Sequence, residues 1–228
     1  MSLILTNDDG IDAPGIRALL TAVSTFDLQP MIAAPQDHQS GCGHQVTTTT
    51  PIHVQKRSGV EYAIGGTPAD CVRIALSHLC PEVKWVLSGI NAGGNLGPDV
   101  YISGTVAAVR EAALHRIPAI SFSQYRQARR EIDWDVAAHL TSQVLAKLLP
   151  LPLKPGNFWN VNLPHLETNT PRPEIVFCHP CTQPLPVSYR IEGDHFYYQG
   201  EYSKRLRDPG SDVEVCFSGR IAVTQIAV

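Results

Sequence analysis

No run of apolar residues in this chain approaches the ~18 needed to cross a bilayer, so no transmembrane helix is expected. The N-terminus lacks the basic residues and cleavage site of a signal peptide. Its first apolar run begins almost at Met1, and the chain reads as cytoplasmic. Charge of one sign is lacking too: the formal net charge is −3 and 17% of residues are charged. That balance gives no support for binding a nucleic acid polymer or an acidic membrane. The six cysteines (Cys42, Cys71, Cys80, Cys178, Cys181, Cys216) build no framework. Only Cys178-His179-Pro180-Cys181 has a suggestive spacing. It lacks the second ligand pair of a zinc site. The prolines that follow it (Pro184, Pro186) argue against the helix of a redox motif, so these read as incidental thiols. No internal repeat or low-complexity segment is present. What remains is 228 residues, 43% of them hydrophobic, enough for one large domain or a domain with an appendage.

Strand-like and helix-like patterns alternate through the first three quarters. The run Leu3-Ile4-Leu5 is stopped by Asn7-Asp8-Asp9-Gly10 and reads as a buried strand ending in a turn. Ile16, Leu19, Leu20 and Val23 repeat at helical spacing, and Met31 to Ala34 reads as a second strand closed by Pro35. Thr67-Pro68-Ala69-Asp70 is a helix start, with Thr67 as N-cap, Pro68 at the first helical position and Asp70 reaching back. Strands are expected over Lys84 to Ile90, Ile117 to Phe122 and Phe158 to Leu163. Helices are expected over Thr105 to Arg116 and along Ile132, Val136, Leu140, Val144 and Leu148. This alternation implies an α/β fold: a Rossmann-like, mainly parallel sheet with helices on both faces. Right-handed crossovers send the carboxyl ends of such strands to one edge, where ligands bind.

The boundary falls near residue 164. Residues 1–164 read as the α/β core and 165–228 as a proline-rich extension, a β-rich arm or subdomain. Prolines cluster at Pro164, Pro171, Pro173, Pro180, Pro184 and Pro186, ahead of His195-Phe196-Tyr197-Tyr198. The runs Val213 to Phe217 and Ile221 to Val228 read as a hairpin across Ser218-Gly219. Tyr197 and Tyr198 suit an interface in the arm better than stacking on a base.

Three loops follow strands at the presumed functional edge. The first carries Asp8 and Asp9. At about 4 Å two carboxylates repel by roughly 4 kcal/mol at an effective dielectric near 20, a cost that a bound cation reverses. The bland alternative is a pair of turn aspartates. The second loop is Gln36 to His44, with Ser40, His38 and His44. The third is Asn91-Ala92-Gly93-Gly94-Asn95-Leu96-Gly97-Pro98-Asp99. It has neither the G-x-G-x-x-G spacing of a dinucleotide fingerprint nor the lysine of a P-loop. Its glycines permit tight turns and close approach of backbone to a ligand. Ser103 and Thr105 open a helix, where free amides favour an anion. Ordinary N-capping would explain them equally well. Two aspartates, a hydroxyl and an amide oxygen form an all-oxygen set suited to magnesium, manganese or calcium rather than zinc. Phosphate-ester hydrolysis is the reaction class that best uses a cation beside an anion-binding helix end.

Asn7-Asp8-Asp9-Gly10 with Ala13-Pro14-Gly15, Ala34-Pro35 ahead of Ser40-Gly41, Gly66 to Val72, and Ser88-Gly89-Ile90-Asn91-Ala92-Gly93 leading to Ser103-Gly104-Thr105 closely resemble the stationary-phase survival protein SurE family of metal-dependent nucleotidases. The match runs in order from residue 3 to about residue 226. It implies a hydrolase, a 5′-nucleotidase that splits nucleoside monophosphates (5′- and possibly 3′-) into nucleoside and phosphate, with short polyphosphate as a further substrate. It also implies one divalent ion per subunit, Mg²⁺ or Mn²⁺, on Asp8, Asp9, Ser40 and Asn91, with Asp8, Asp9 and Asn91 catalytic. Asn95, Ser103, Gly104 and Thr105 would line the phosphate pocket, and the protein would be a homodimer or homotetramer. His38, His44, Asp9 or a water on the metal are the candidates for general acid. Family members commonly continue into an exchanged C-terminal helix, whereas this sequence stops at Val228, and Gln225 stands where the family often has proline. Two alternatives compete: a phosphotransferase with Asp8 as nucleophile, which the D-D-G rather than D-x-D spacing disfavours, and a non-catalytic nucleotide-binding regulator.

Overall fold

The computed structural model describes residues 2–127, 130–166 and 172–228; Pro171 of the proline cluster lies outside them. The first apolar run is strand β1 (Ser2–Thr6), followed by helix α1 (Pro14–Val23) and β2 (Gln29–Pro35). An antiparallel pair absent from the sequence reading comes next, β3 (Val54–Lys56) and β4 (Glu61–Ile64). Helix α2 (Pro68–Ile74) leads into a π-helical turn (Ala75–Leu79). Then come β5 (Trp85–Asn91), α3 (Gly104–Leu114), β6 (Ala119–Gln124), α4 (Trp134–Leu148) and β7 (Asn157–Leu163). The last quarter holds β8 (Ile175–Phe177), β9 (Tyr189–Glu192), β10 (His195–Tyr198), α5 (Asp212–Phe217) and β11 (Ile221–Ala227).

Nine strands form one sheet in the order β3-β4-β2-β1-β5-β6-β7-β11-β8. The six central strands, from β4 to β7, run parallel, and β3 and β11 each pair antiparallel to their inner neighbours. Strand alternation sorts the core onto two faces. Leu3 and Leu5 pack with Ile16, Leu19, Val144 and Leu148 of α1 and α4; Ile4 packs with Val72, Val106 and Val109 of α2 and α3. Helices therefore cover both faces, as expected for an α/β sheet. The chain leaves β1 toward β2 and returns on its other side as β5, so the strand order reverses between β1 and β5. In open α/β sheets ligands bind at this reversal, outside the carboxyl ends of the strands.

The C-terminal quarter corrects one expectation. Val213 to Phe217 is not a hairpin strand but part of α5, and Ile221–Ala227 does not fold back on it. Instead β11 enters the main sheet between β7 and β8, with Val223 opposite Val161. The hairpin arm is formed upstream, where His195 to Tyr198 pairs with Tyr189–Glu192 as a separate two-stranded sheet. Among the described residues no helix is long and apolar enough to cross a membrane.

Candidate functional site

Strand β1 delivers Asn7, Asp8 and Asp9 to the carboxyl edge. Asn7 closes the turn by donating its amide to the Gly10 carbonyl at 2.7 Å. Its Oδ1 is buried without a partner among the described residues. Asp8 is 3% exposed and accepts the Thr105 hydroxyl at 2.5 Å on Oδ1. Helix α3 can approach this close because Gly104 has no side chain: a Cβ there would lie 2.9 Å from the Asp8 Cβ and 3.1 Å from its Oδ2. Burial, and then the neighbouring charge of Asp9, push the Asp8 carboxyl up to about 6 against the opposing bond from Thr105. Burial likewise raises Asp9, with the Ala92 amide (3.2 Å) and the nearby His38 opposing it. Two carboxylates resisting ionisation at one strand end is the electrostatic condition that a cation relieves.

The other two loops meet this pair. The Gln39 amide donates to the Asp8 carbonyl at 2.7 Å, and exposed Ser40 is the next residue along this loop. Asn91, at the end of β5, donates Nδ2 to the Gly93 carbonyl at 2.8 Å, an orientation that leaves Oδ1 as its available ligand atom. Asp8, Asp9 and Asn91 thus come from the two strands flanking the order reversal, and Ser40 comes from the loop after β2. Among the described residues no three His, Cys, Asp or Glu side chains gather as a metal cluster, so a cation here would rest on two carboxylates completed by neutral oxygens. The donor set fits a hard ion such as Mg²⁺ or Mn²⁺.

The predicted phosphate residues divide. Ser103 caps α3 by accepting the Val106 amide at 3.1 Å, and its carbonyl takes the Ala107 amide. Gly104 and Thr105 are the first two residues of α3, where the amides of a helix have no partner within the helix. The Thr105 hydroxyl, by contrast, serves Asp8. Asn95 is 7% exposed; its Nδ2 donates to Ser123 at 2.8 Å, and its carbonyl takes bonds from Asn160 and Asn162. One of its two side-chain N–H donors is therefore engaged behind the glycine loop.

Of the histidines, His38 places Nδ1 3.6 Å from Asp9 Oδ1, whereas His44 turns away to Glu111 at 2.7 Å. Sequence reasoning missed Glu111. On a helix of alanines it passes for a solvated residue, yet it is buried and also pairs with Arg73 at 2.6 Å, fixing the end of the Ser40 loop to α2 and α3. Also missed was the clamp behind the glycine loop. Asp99 Oδ2 accepts the Leu96 amide at 3.1 Å, the Tyr202 hydroxyl at 2.5 Å and Arg205 Nη1 at 2.8 Å. Asp212 accepts the Gly97 amide at 2.7 Å. Of the cysteine pair, Cys181 is buried, and burial pushes the Cys178 thiol up to about 12, away from the thiolate form. Tyr197 and Tyr198 lie exposed on the separate hairpin.

Comparison with known proteins bears on the family and the fold. A Nostoc sp. (strain PCC 7120) protein is 65% identical over 228 residues, covering all of both chains. The 5′-nucleotidase SurE of Allorhizobium ampelinum is 35% identical, over 99% of this chain and 91% of that protein. The crystal structure of the SurE protein from Aquifex aeolicus superposes with a TM-score of 0.87 at 30% identity, covering 100% of this chain and 93% of that one. The family model described as "Survival protein SurE" matches residues 3–184. The chain belongs to the Survival protein SurE family.

Proposed function

We propose that this protein is a divalent-metal-dependent phosphomonoesterase that hydrolyses nucleoside monophosphates to nucleoside and phosphate. Family membership and the 5′-nucleotidase name of its relatives make it a hydrolase. The observation that carries the atomic reading is the convergence of Asp8, Asp9 and Asn91 at the strand-order reversal, against the N-terminus of α3. Asp8, Asp9, Ser40 and Asn91 would hold Mg²⁺ or Mn²⁺. That ion neutralises phosphoryl charge and acidifies water when bound. The first amides of α3, at Gly104 and Thr105, with Ser103 capping the same turn, orient the phosphoryl oxygens at the positive helix end. Thr105 keeps Asp8 aimed. Asn95 supports the loop by donating one amide hydrogen to Ser123, and the second hydrogen of the same group is the donor it offers phosphate. Exposed His38, beside Asp9, is positioned to protonate the leaving alkoxide. The 3′-phosphomonoester and short-polyphosphate activities extend the same chemistry. The aromatic hairpin pairs copies of the chain into a homodimer or homotetramer, and six free thiols support a cytoplasmic setting.

The test is phosphate release from a panel of nucleoside monophosphates in chelator, then with Mg²⁺ or Mn²⁺ restored. Turnover that vanishes and returns with the metal is expected. Folded protein that binds nucleotide but stays silent under both ions would instead establish the regulator.

A further inference from the structure

A loop holds a ligand accurately only when other groups lock it from behind. The glycine loop and the start of α3 meet at Asp99, which is 7% exposed. Its side chain accepts the Leu96 amide within the loop, and its main-chain carbonyl accepts the amides of Ile102 and Ser103 at 3.1 and 3.0 Å. Ser103 caps α3, and Thr105, two residues on, bonds to Asp8. One residue thus ties the loop that carries Asn95 to the first turn of α3. A shift of Asp99 moves both walls of the phosphate pocket.

Asp99 is fixed in turn by the C-terminal quarter, through the Tyr202 hydroxyl and Arg205. Tyr202 approaches the loop at a second point: a Cβ on Gly94 would lie 3.5 Å from its hydroxyl oxygen. The Tyr202 ring packs with Tyr125 and Phe217, at centroid distances of 6.4 and 6.2 Å, and the Arg205 guanidinium lies 4.9 Å from its centroid. Packing on the ring therefore aims the hydroxyl, and the hydroxyl ends on a single acceptor. Burial, and then the Asp99 charge, hold its ionisation far above the ordinary tyrosine value, so it stays a donor across the pH range of an assay. We propose that Tyr202 is a positioning residue for the phosphate pocket, acting through Asp99 to set the glycine loop against the first turn of α3. The proposal rests on the reading of that helix end as the phosphate site. Tyr202 stands behind the loop and works on the pocket without touching the substrate.

The experiment uses Tyr202→Phe, which removes the hydroxyl and keeps the ring in its stack. With AMP and saturating Mg²⁺, KM should rise about tenfold, the loss expected of one hydrogen bond to a charged group. The same variant should change kcat by less than about threefold, because groups that grip the phosphoryl oxygens act on substrate and transition state alike. A second readout needs no turnover: binding of inorganic phosphate with Mg²⁺ present, followed by calorimetry, should weaken by the same factor. Ser218→Ala serves as the structural control. It deletes another hydroxyl bond in the C-terminal quarter, to the Val215 carbonyl at 2.8 Å, and should leave KM and phosphate binding at wild-type values. Wild-type phosphate affinity in Tyr202→Phe, or a KM shift that Ser218→Ala reproduces, overturns the proposal. If the wild-type protein releases phosphate from no ester, the nucleotidase reading fails. The phosphate titration then decides the role of Tyr202 by itself: weaker binding in the variant supports it, and equal binding or none refutes it.

Discussion

Asp8 sets function against stability. Its carboxyl titrates at about 6 in the fold against an ordinary 3.8. A raised acid contributes its stability below the unfolded value and withdraws it as pH climbs from 3.8 toward 6. At neutral pH without metal, ionised Asp8 therefore works against folding. Asp8→Asn should abolish metal-dependent phosphate release and raise the unfolding free energy obtained from urea melts in chelator at pH 7, by up to about 3 kcal/mol. An active variant would remove Asp8 from the metal site. Glu111 has the opposite sign. Burial acts to raise it, but the hydrogen bonds and charges of His44 and Arg73 prevail and lower it from 4.5 to about 2. Its contribution is complete above pH 4.5 and is lost as pH falls toward 2. Urea midpoints followed from about pH 6 to about pH 3 should fall less steeply for Glu111→Gln than for the wild type.

Among the elements, α2 and α5 show what local sequence can and cannot specify. Helix α2 begins where Thr67-Pro68-Ala69-Asp70 predicts, with the capping box complete. Asp70 also accepts the Thr47 amide and hydroxyl at 2.9 and 2.7 Å, tying the cap to the loop before β3. Thr67→Ala should cost about 1 kcal/mol in a denaturant melt. Asp70→Ala should cost more, because it also frees Thr47. In α5 the alternation Val213, Val215, Phe217 suggests a strand, and the six-residue length is too short for helical period to assert itself. Helix signals were present in Ser211 with Glu214 three residues on, and in Gly219 at φ +84 just past the end. Buried Asp212 then secures the helix by accepting the amides of Gly97 and Cys181. Its partners lie far away in the chain, and no local pattern announces them.

At the scale of the whole molecule, the C-terminal quarter serves two purposes that its composition does not separate. The hairpin is an appendage, exposed along both strands. Residues 202–227, by contrast, belong to the core: Arg205 and Tyr202 hold Asp99 from behind the glycine loop, and β11 covers the edge of β7. Deleting residues 187–199 should leave a folded protein and lower its mass in solution if the hairpin joins subunits, as light scattering would show. Ending the chain at residue 164 should yield insoluble protein, because β7 would lose its neighbour and the Asp99 loop its clamp. Arg205→Ala leaves Asp99 buried without its cationic partner. A loss of about 3–5 kcal/mol is expected from the denaturant midpoint.

The sequence by itself determined the parallel α/β core, the strand ends that carry Asp8, Asp9 and Asn91, the cap of α2 and the family. Those features are written in residues a few positions apart: apolar periodicity, turn chemistry and capping act over one strand or one helical turn. Only the tertiary structure decided that Thr105 bonds to Asp8, that Glu111 is a buried anchor, that Asn95 turns its amide inward, and that Arg205 meets Asp99. These pairs lie far apart in sequence, and a polar residue's alphabetic identity is the same in water as in the interior. Burial and the partner found there decide whether it is solvated, structural or reactive.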